Sequence, residues 1–490
     1  MIIANSTNAR RQKRVASLMS LPLAKKLLIG VLLCPVAAAA QVTDTVRLSL
    51  ADAVSRVVRE SDEVRLAAAQ LDVTEAQAIV ARSAGLPTLQ FTGNYTQVER
   101  NARATVVGQV FNQPYTYTTN FNISQPLFQG GRIFAGARAA NDVRQAARHN
   151  LEEVRALVSL DIQRAYLQVL LNQQLADIQA RNVQLAEERV ALVQRLEGAG
   201  RAARYDVLRA RVEKANLEPG LIQARNDVEL ATIELRRLLN LPVTRPLILT
   251  SELDTAGVRS LARSIASDSS RPPLRASIRA AEYAAEGRHE GVRAARAEFL
   301  PTVNVFFRTG FLALPATSGF PTRWGNTSVA NCPTPPGPGE QPRPCQNNGW
   351  YADRSLGVQV AWPLFDGFRA KGNMDLAQAQ ERVARTQLYQ VRENVAAEQA
   401  RATAEFERAE SMYEAQRQNA EEAREAFRIA SLRFERGLGT QLEVTDAQLA
   451  LLTAVSNAAR GTVDYYLAAA ELARARGSTV PLPPTRTISR

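Results

Sequence analysis

The sequence predicts an α+β membrane protein in which long coiled-coil helices and four β-strands per chain are laid out as an internal two-fold repeat. Three observations carry this. The stretches between Gly136 and Gly198 and between Gly372 and Gly437 contain no glycine or proline. Ahead of each stretch the apolar period changes from helical to two. Motifs of the first half also recur in the second, many of them at one fixed offset.

Composition removes several function classes first. The chain has 490 residues, 46% hydrophobic and 22% charged, enough for a substantial core. Its two histidines, His149 and His289, exclude a three-histidine metal site and leave little for a serine-type triad. No G-x-x-x-x-G-K-[ST] loop is present, and no G-x-G-x-x-G follows a strand-like run, so the usual phosphate cradles are missing. The expectation is a chain that is not an enzyme and needs no cofactor.

Residues 1–40 read as a signal peptide. Lys25 and Lys26 precede the apolar run Leu27 to Val36, and Ala38-Ala39-Ala40 before Gln41 offers a small-residue cleavage site. Met19 is an alternative start. Leu33 ahead of Cys34 argues against lipidation, where a small residue is wanted. The formal charge is +12, and the only charged residues in this segment are six basic ones, so the mature chain carries +6. Elsewhere acids and bases interleave at helical spacing, as in Glu152, Glu153 and Arg155, which describes solvated helix faces and no nucleic-acid partner.

The expected plan is a first structural repeat over 41–240, a connector over 241–273, a second repeat over 274–477 and a tail over 478–490. Ala81 to Thr88 recurs as Ala295 to Thr302, and Pro126-Leu127-Phe128-Gln129-Gly130-Gly131-Arg132 recurs as Pro363-Leu364-Phe365-Asp366-Gly367-Phe368-Arg369. The second pair is offset by 237, and the same offset carries Gly200 onto Gly437, Asp206 onto Glu443, Val207 onto Val444 and Leu235 onto Leu472. Each glycine-free stretch predicts one helix roughly 90 Å long. Leu151, Val154, Val158, Ala165 and Val169 form its seam, with Asp161, Arg164, Gln168 and Asn172 turned to water. Pro219, in the returning helix of the first half, predicts a kink.

The strands come as two hairpins. Leu89, Phe91, Gly93 and Tyr95 go out and Tyr115, Tyr117, Phe121 and Ile123 return; Val303, Val305, Phe307 and Phe311 go out and Leu356, Val358, Val360 and Trp362 return. Strands of about ten residues match the length a tilted strand needs to cross a bilayer. Four strands cannot close a barrel, and an open edge leaves amides without partners in hydrocarbon, so several copies must pool their strands. Three copies give a trimeric 12-stranded transmembrane barrel. Pro87 and Pro301 precede outgoing strands, Pro126 and Pro363 are expected to end pairing, and Gly130, Gly131 and Gly367 permit the turn into helix.

The Leu-Pro before each outgoing strand, the doubled Pro-Leu-Phe-x-Gly, and the tip patterns Gly200 to Ala210 and Phe434-x-x-Gly437 to Ala447 resemble the TolC-like outer-membrane efflux proteins, over about Leu48 to Gly477. That resemblance implies a homotrimer whose strands form a barrel in outer-membrane lipid and whose helices form an α-barrel across the periplasm. It also implies a passive exit duct that meets a periplasmic adaptor (membrane fusion) protein and an inner-membrane pump or exporter. By the same resemblance Asp206 lies at the first helix tip and Glu443 and Asp446 at the second, where three copies make an acidic, cation-favouring entrance. The alternative role for these acids is to favour the first turn of a helix through its dipole. The family's tip tyrosine and arginine positions hold Phe434 and Gly439 here, so its latch is not carried over.

The second hairpin holds 23 more residues between its prolines than the first, a long external loop with Cys332 and Cys345 in it. In an exported chain these predict a disulfide. A secreted coiled-coil rod or adhesin is the rival reading, but it requires neither aromatic hairpins nor a repeat.

Overall fold

The computed structural model describes residues 46–100, 106, 114–253, 255–267, 274–315, 319–324, 349–478, 480, 482 and 485–487, all within the unit Thr45–Arg490. The expected signal segment and the Cys332–Cys345 pair lie outside the described residues.

Strand β1 (Val46–Leu48) leads into α1 (Leu50–Glu60) and α2 (Asp62–Ser83), whose N-termini are capped by Ser49 and Ser61. β2 (Thr88–Gln97) and β3 (Tyr115–Gln129) form the first hairpin, followed by α3 (Arg132–Gly198) and α4 (Arg204–Leu238). The connector folds as β4 (Leu247–Leu249), β5 (Ser251–Leu253) and α5 (Thr255–Ser267). Then come α6 (Ala276–Arg296), β6 (Thr302–Ala313), the two-residue β7 (Arg323–Trp324) and β8 (Gly349–Ala361). Helices α7 (Arg369–Glu435) and α8 (Gln441–Ala475) and strand β9 (Thr485–Thr487) end the described chain.

Both long helices have 67 residues and both returning helices 35. At ~1.5 Å per residue each long helix spans ~100 Å. Helix α4 continues through Pro219 without interruption.

The four long strands form one antiparallel sheet in the order β2-β3-β6-β8, with β7 pairing in parallel at the end of β8. The two hairpins are thus joined edge to edge through β3 and β6. One expectation is corrected here: Pro126 does not end pairing. β3 continues to Gln129, opposite Thr302, with a register shift between Pro126 and Phe128. β2 has already ended at Thr88 opposite Ser124, so β3 is paired on one side only and a bulge accommodates the residue that lacks an N–H. Pro363 lies two residues beyond Ala361, the last residue of β8.

The middle of α3 departs from a single seam. Val158, Ile162, Tyr166 and Val169 pack with α1, α2 and α4, while Leu160, Leu167 and Leu171 pack with α5, α7 and α8. The cause lies in short elements the sequence did not advertise. β1 pairs with β4 and β5 with β9, wrapping the helices at this level. The Tyr166 hydroxyl donates to the Leu48 carbonyl at 3.0 Å and accepts from the Ser251 amide at 3.3 Å, binding the two strand segments to the helix. On the other side Tyr465 stacks on Tyr413 at 5.2 Å and donates to Glu410, and burial pushes its hydroxyl up to about 12.

Candidate functional site

The sheet largely separates its side chains by polarity, with Phe306 and Leu312 on the mostly polar face and Thr119, Gln125 and Thr309 on the mostly apolar one. Tyr95, Tyr117, Ala313 and Trp350 form one cross-strand row, and Leu89, Ile123, Phe307 and Leu356 form another on the same face. Val303, Val305, Val358 and Val360 extend that apolar surface toward the helices. The opposite face carries Gln90, Thr92 and Asn94 from β2, Asn120, Asn122 and Ser124 from β3, Arg308 and Asn304 from β6, and Asp353, Ser355 and Gln359 from β8. Its polar groups bond to each other: Arg308 Nε donates to Asn122 Oδ1 at 3.0 Å, and Asn122 Nδ2 donates to Thr92 Oγ1 at 3.3 Å. Apolar residues remain exposed on the first face, Leu356 at 74% and Leu89 at 70%, which is the pattern of a strand wall between lipid and water. Among the described residues no helix is long and apolar enough to cross a membrane.

At the helix end of the sheet each corner uses left-handed backbone. Gly130 and Gly131 have φ of 59° and 85°, and Gly367 and Phe368 have φ of 70° and 68°. Pro87 and Pro301 stand immediately before β2 and β6. Phe368 occupies the N-cap position that Gly131 takes on the other long helix, so the second corner holds a bulky residue in αL conformation.

At the far ends of the helices the two tips share one geometry. Gly200 (φ 70°) and Gly437 (φ 75°) close Schellman turns, in which Arg201 N–H donates to the Leu196 carbonyl at 2.7 Å and Leu438 N–H to the Arg433 carbonyl at 2.8 Å. Asp206 is half-buried and its carboxylate accepts the Ala203 amide at 3.0 Å. Glu443 is exposed; Thr440 Oγ1 caps its amide and donates to its carboxylate, both at 3.3 Å, and Arg433 lies 3.9 Å away. Asp446 is exposed one turn further on, and Phe434 is half-buried. A side chain at Gly439 would meet Arg433 and Glu443 at 3.3 Å.

Two polar clusters escaped the sequence reading. Above the tip, buried Arg189 of α3 donates to Thr445 Oγ1 at 3.0 Å and to Gln448, while Gln448 donates to Asn182. Glu213 of α4 accepts from Thr445 at 3.1 Å and from Arg209 at 3.0 Å. Burial lowers the Arg189 pKa and Glu213 opposes that shift. This network joins α3 and α4 to α8. Gln441, Thr445 and Gln448 recur at helical spacing, and that polar stripe within an apolar face was the available signal.

Midway along the helices, Arg275 pairs with Glu153 at 2.6 Å and with Glu398, and Arg474 bridges the same two carboxylates. Burial acts to raise the Glu398 pKa, but the Arg275 hydrogen bond and the nearby arginine charges outweigh it and hold the carboxyl below its ordinary value. A depressed folded pKa means stability that is present above the unfolded value and lost as pH falls through the folded one. The thermal midpoint should therefore drop as pH is lowered below about 4.3. Glu398→Gln should flatten that acid limb relative to wild type when unfolding is followed in detergent by circular dichroism. An unchanged slope would remove this quartet from the acid response.

The sequence profile described as outer membrane efflux protein matches residues 53–241 and 274–478. The chain is 31% identical over 191 residues to the cobalt-zinc-cadmium resistance protein CzcC of Cupriavidus metallidurans, an alignment covering 38% of this chain. It spans about 40% of the length of that curated relative. Among solved structures, the outer membrane protein VceC from Vibrio cholerae superposes with a TM-score of 0.68 at 20% identity, over 88% of this chain and 97% of that one. The open state of the MtrE outer membrane channel of Neisseria gonorrhoeae gives 0.69 at 19% identity, over 89% and 90%. With the profile covering most of both halves and the fold shared along its length, the chain belongs to the outer membrane efflux protein family.

Proposed function

We propose that this chain is the outer-membrane channel-tunnel of a tripartite efflux or type I secretion system, a passive exit duct whose transport is driven by an inner-membrane pump. One observation carries the proposal: a two-faced sheet with open edges. β2 has no partner along its outer edge among the described residues, and β8 has only the two residues of β7. Unpaired amides in hydrocarbon are not tolerated, so β8 of one copy pairs with β2 of the next, and three copies close a twelve-stranded barrel. The polar sheet face then lines the lumen and the apolar face meets outer-membrane lipid.

An internal two-fold repeat accompanies this reading. The two long helices begin 237 residues apart and end 237 apart, as do the two returning helices, which supports a duplicated hairpin-and-helix unit. In the trimer the helices continue the duct into the periplasm, and a periplasmic adaptor protein links it to the pump or exporter. Asp206, Glu443 and Asp446 belong to the periplasmic entrance, the Cys332–Cys345 disulfide to the external loop, and residues 1–40 to the export signal. Cargo follows the pump. The resemblance to a protein named for cobalt, zinc and cadmium resistance supports divalent metal cations as the first class to assay.

The test is assembly. Membrane-extracted protein should sediment as a trimer in detergent and stay with membranes in its absence. A monomer that dissolves in buffer without detergent would overturn the barrel.

A further inference from the structure

One charged residue stands on the mostly apolar face of the sheet. Arg354 on β8 lies opposite Thr309, in the row that runs through Phe91 and Phe121. Its same-face neighbours along β8 are Ala352 and Leu356, and it is exposed. Among the described residues of the long strands it is the only charged residue on this face, because Arg308 and Asp353 belong to the other. A neighbouring copy does not change this. Its edge strand β2 would bring Leu89, Phe91, Gly93, Tyr95 or Gln97 onto the same face, none of them charged. Among the described strand residues, neither the chain's own strands nor a neighbour's β2 places a carboxylate on this face to balance the guanidinium.

Depth makes the imbalance informative. A strand rising ~3.3 Å per residue and tilted ~40° climbs ~2.5 Å per residue along the membrane normal. Arg354 thus sits ~10 Å inside the row that holds Trp350, on the half of the sheet farther from the helices. At the loop end of that face Tyr95 and Tyr117 lie 4.8 Å apart and Phe311 and Trp324 4.8 Å apart, the aromatic belt expected at a headgroup boundary. An arginine stem of this length lies along apolar surface while its head turns toward that boundary. Its planar fork then meets phosphate oxygens in a bidentate geometry that lysine does not reproduce.

The geometry points to Arg354 as a lipid-binding residue that takes a phosphate of an outer-leaflet glycolipid against the outside of the barrel. The inference rests on the membrane reading above. Charge complementarity supplies the occupant: a cation on a mostly apolar wall, inside the aromatic belt and turned toward it along its own stem, with no carboxylate on that face among the described strand residues.

The experiment uses assembled protein in detergent, titrated with bis-phosphorylated lipid A and with the same lipid stripped of phosphate, with bound lipid counted by native mass spectrometry. Wild type should hold the phosphorylated lipid about tenfold more tightly than the dephosphorylated one, the difference expected of one charge-assisted fork. Arg354→Gln should lose that discrimination, Arg354→Lys should keep part of it, and Arg308→Gln on the lumen face should keep all of it. Wild type binding both lipids equally, or Arg354→Gln discriminating as wild type does, would overturn the proposal and leave a guanidinium that merely reaches water. If Arg354→Gln does not assemble, the two-lipid comparison on wild type and Arg354→Lys decides alone. A detergent-extracted trimer without discrimination defeats only this inference; a water-soluble protein defeats the membrane reading with it.

Discussion

Gly130→Ala is expected to remove most of the assembled, membrane-embedded protein, whereas Gly131→Ala should be tolerated. Both residues have positive φ, 59° and 85°, and for an L-residue that conformation costs roughly 1–2 kcal/mol. The surroundings separate them. A Cβ on Gly130 would stand 2.7 Å from the Ala297 carbonyl oxygen and 3.0 Å from its Cα, both parts of a backbone that cannot rotate away. Relief requires shifting the corner between β3 and α3 away from the end of α6, an overpacking cost of about 1–3 kcal/mol more in each chain. Around Gly131 nothing lies within 4 Å, and its counterpart in the second half, Phe368, already carries a side chain at φ 68°. The yield of trimer on a non-denaturing gel, with and without heating, compares the two variants. Equal yields would mean that the close approach at Ala297 contributes nothing.

The second large effect concerns ion selectivity at the helix tips. Glu443 and Asp446 are exposed and three residues apart at the start of α8, so both project from the same side of one turn. If they line the proposed periplasmic entrance, three copies would bring six carboxylates into one neck, where a narrow low-dielectric wall would focus their field and gather counter-ions. Replacing them together, Glu443→Gln with Asp446→Asn, keeps shape and removes charge. In a planar bilayer the cation-to-anion permeability ratio should fall toward unity, and block by multivalent cations should weaken. The competing role is visible as well: Glu443 accepts the Thr440 hydroxyl at 3.3 Å as a first-turn residue. If capping is all it does, the substitution costs about 0.3–1 kcal/mol per chain at each site and leaves selectivity unchanged. Correctly assembled trimers with wild-type selectivity would assign these acids to helix stability.

Much of this architecture follows from local chemistry, and the sequence alone determines it. An uninterrupted run without glycine or proline has no place to stop, so α3 and α7 extend until Gly200 and Gly437 supply the left-handed residue that a Schellman turn needs. Alternation at Leu89, Phe91 and Tyr95 and again at Val303, Val305 and Phe307 specifies strands with one apolar face, because the side-chain period of a strand is two. These rules involve neighbours along the chain, and pattern suffices to read them.

Contacts between distant segments were decided only in three dimensions. Val46–Leu48 and Leu247–Leu249 are too short to announce themselves, and they become strands because each offers the other its backbone donors and acceptors beside Tyr166. Pro126 reads locally as a stop, yet pairing passes it because β2 has already ended and a bulge is free to form. Arg189, Glu213, Thr445 and Gln448 look like ordinary surface residues on three separate helices. Arg189 and Gln448 are buried, Glu213 and Thr445 half-buried, and they bond to one another because α3, α4 and α8 converge there; a polar group removed from water must find its partner wherever the tertiary packing places one.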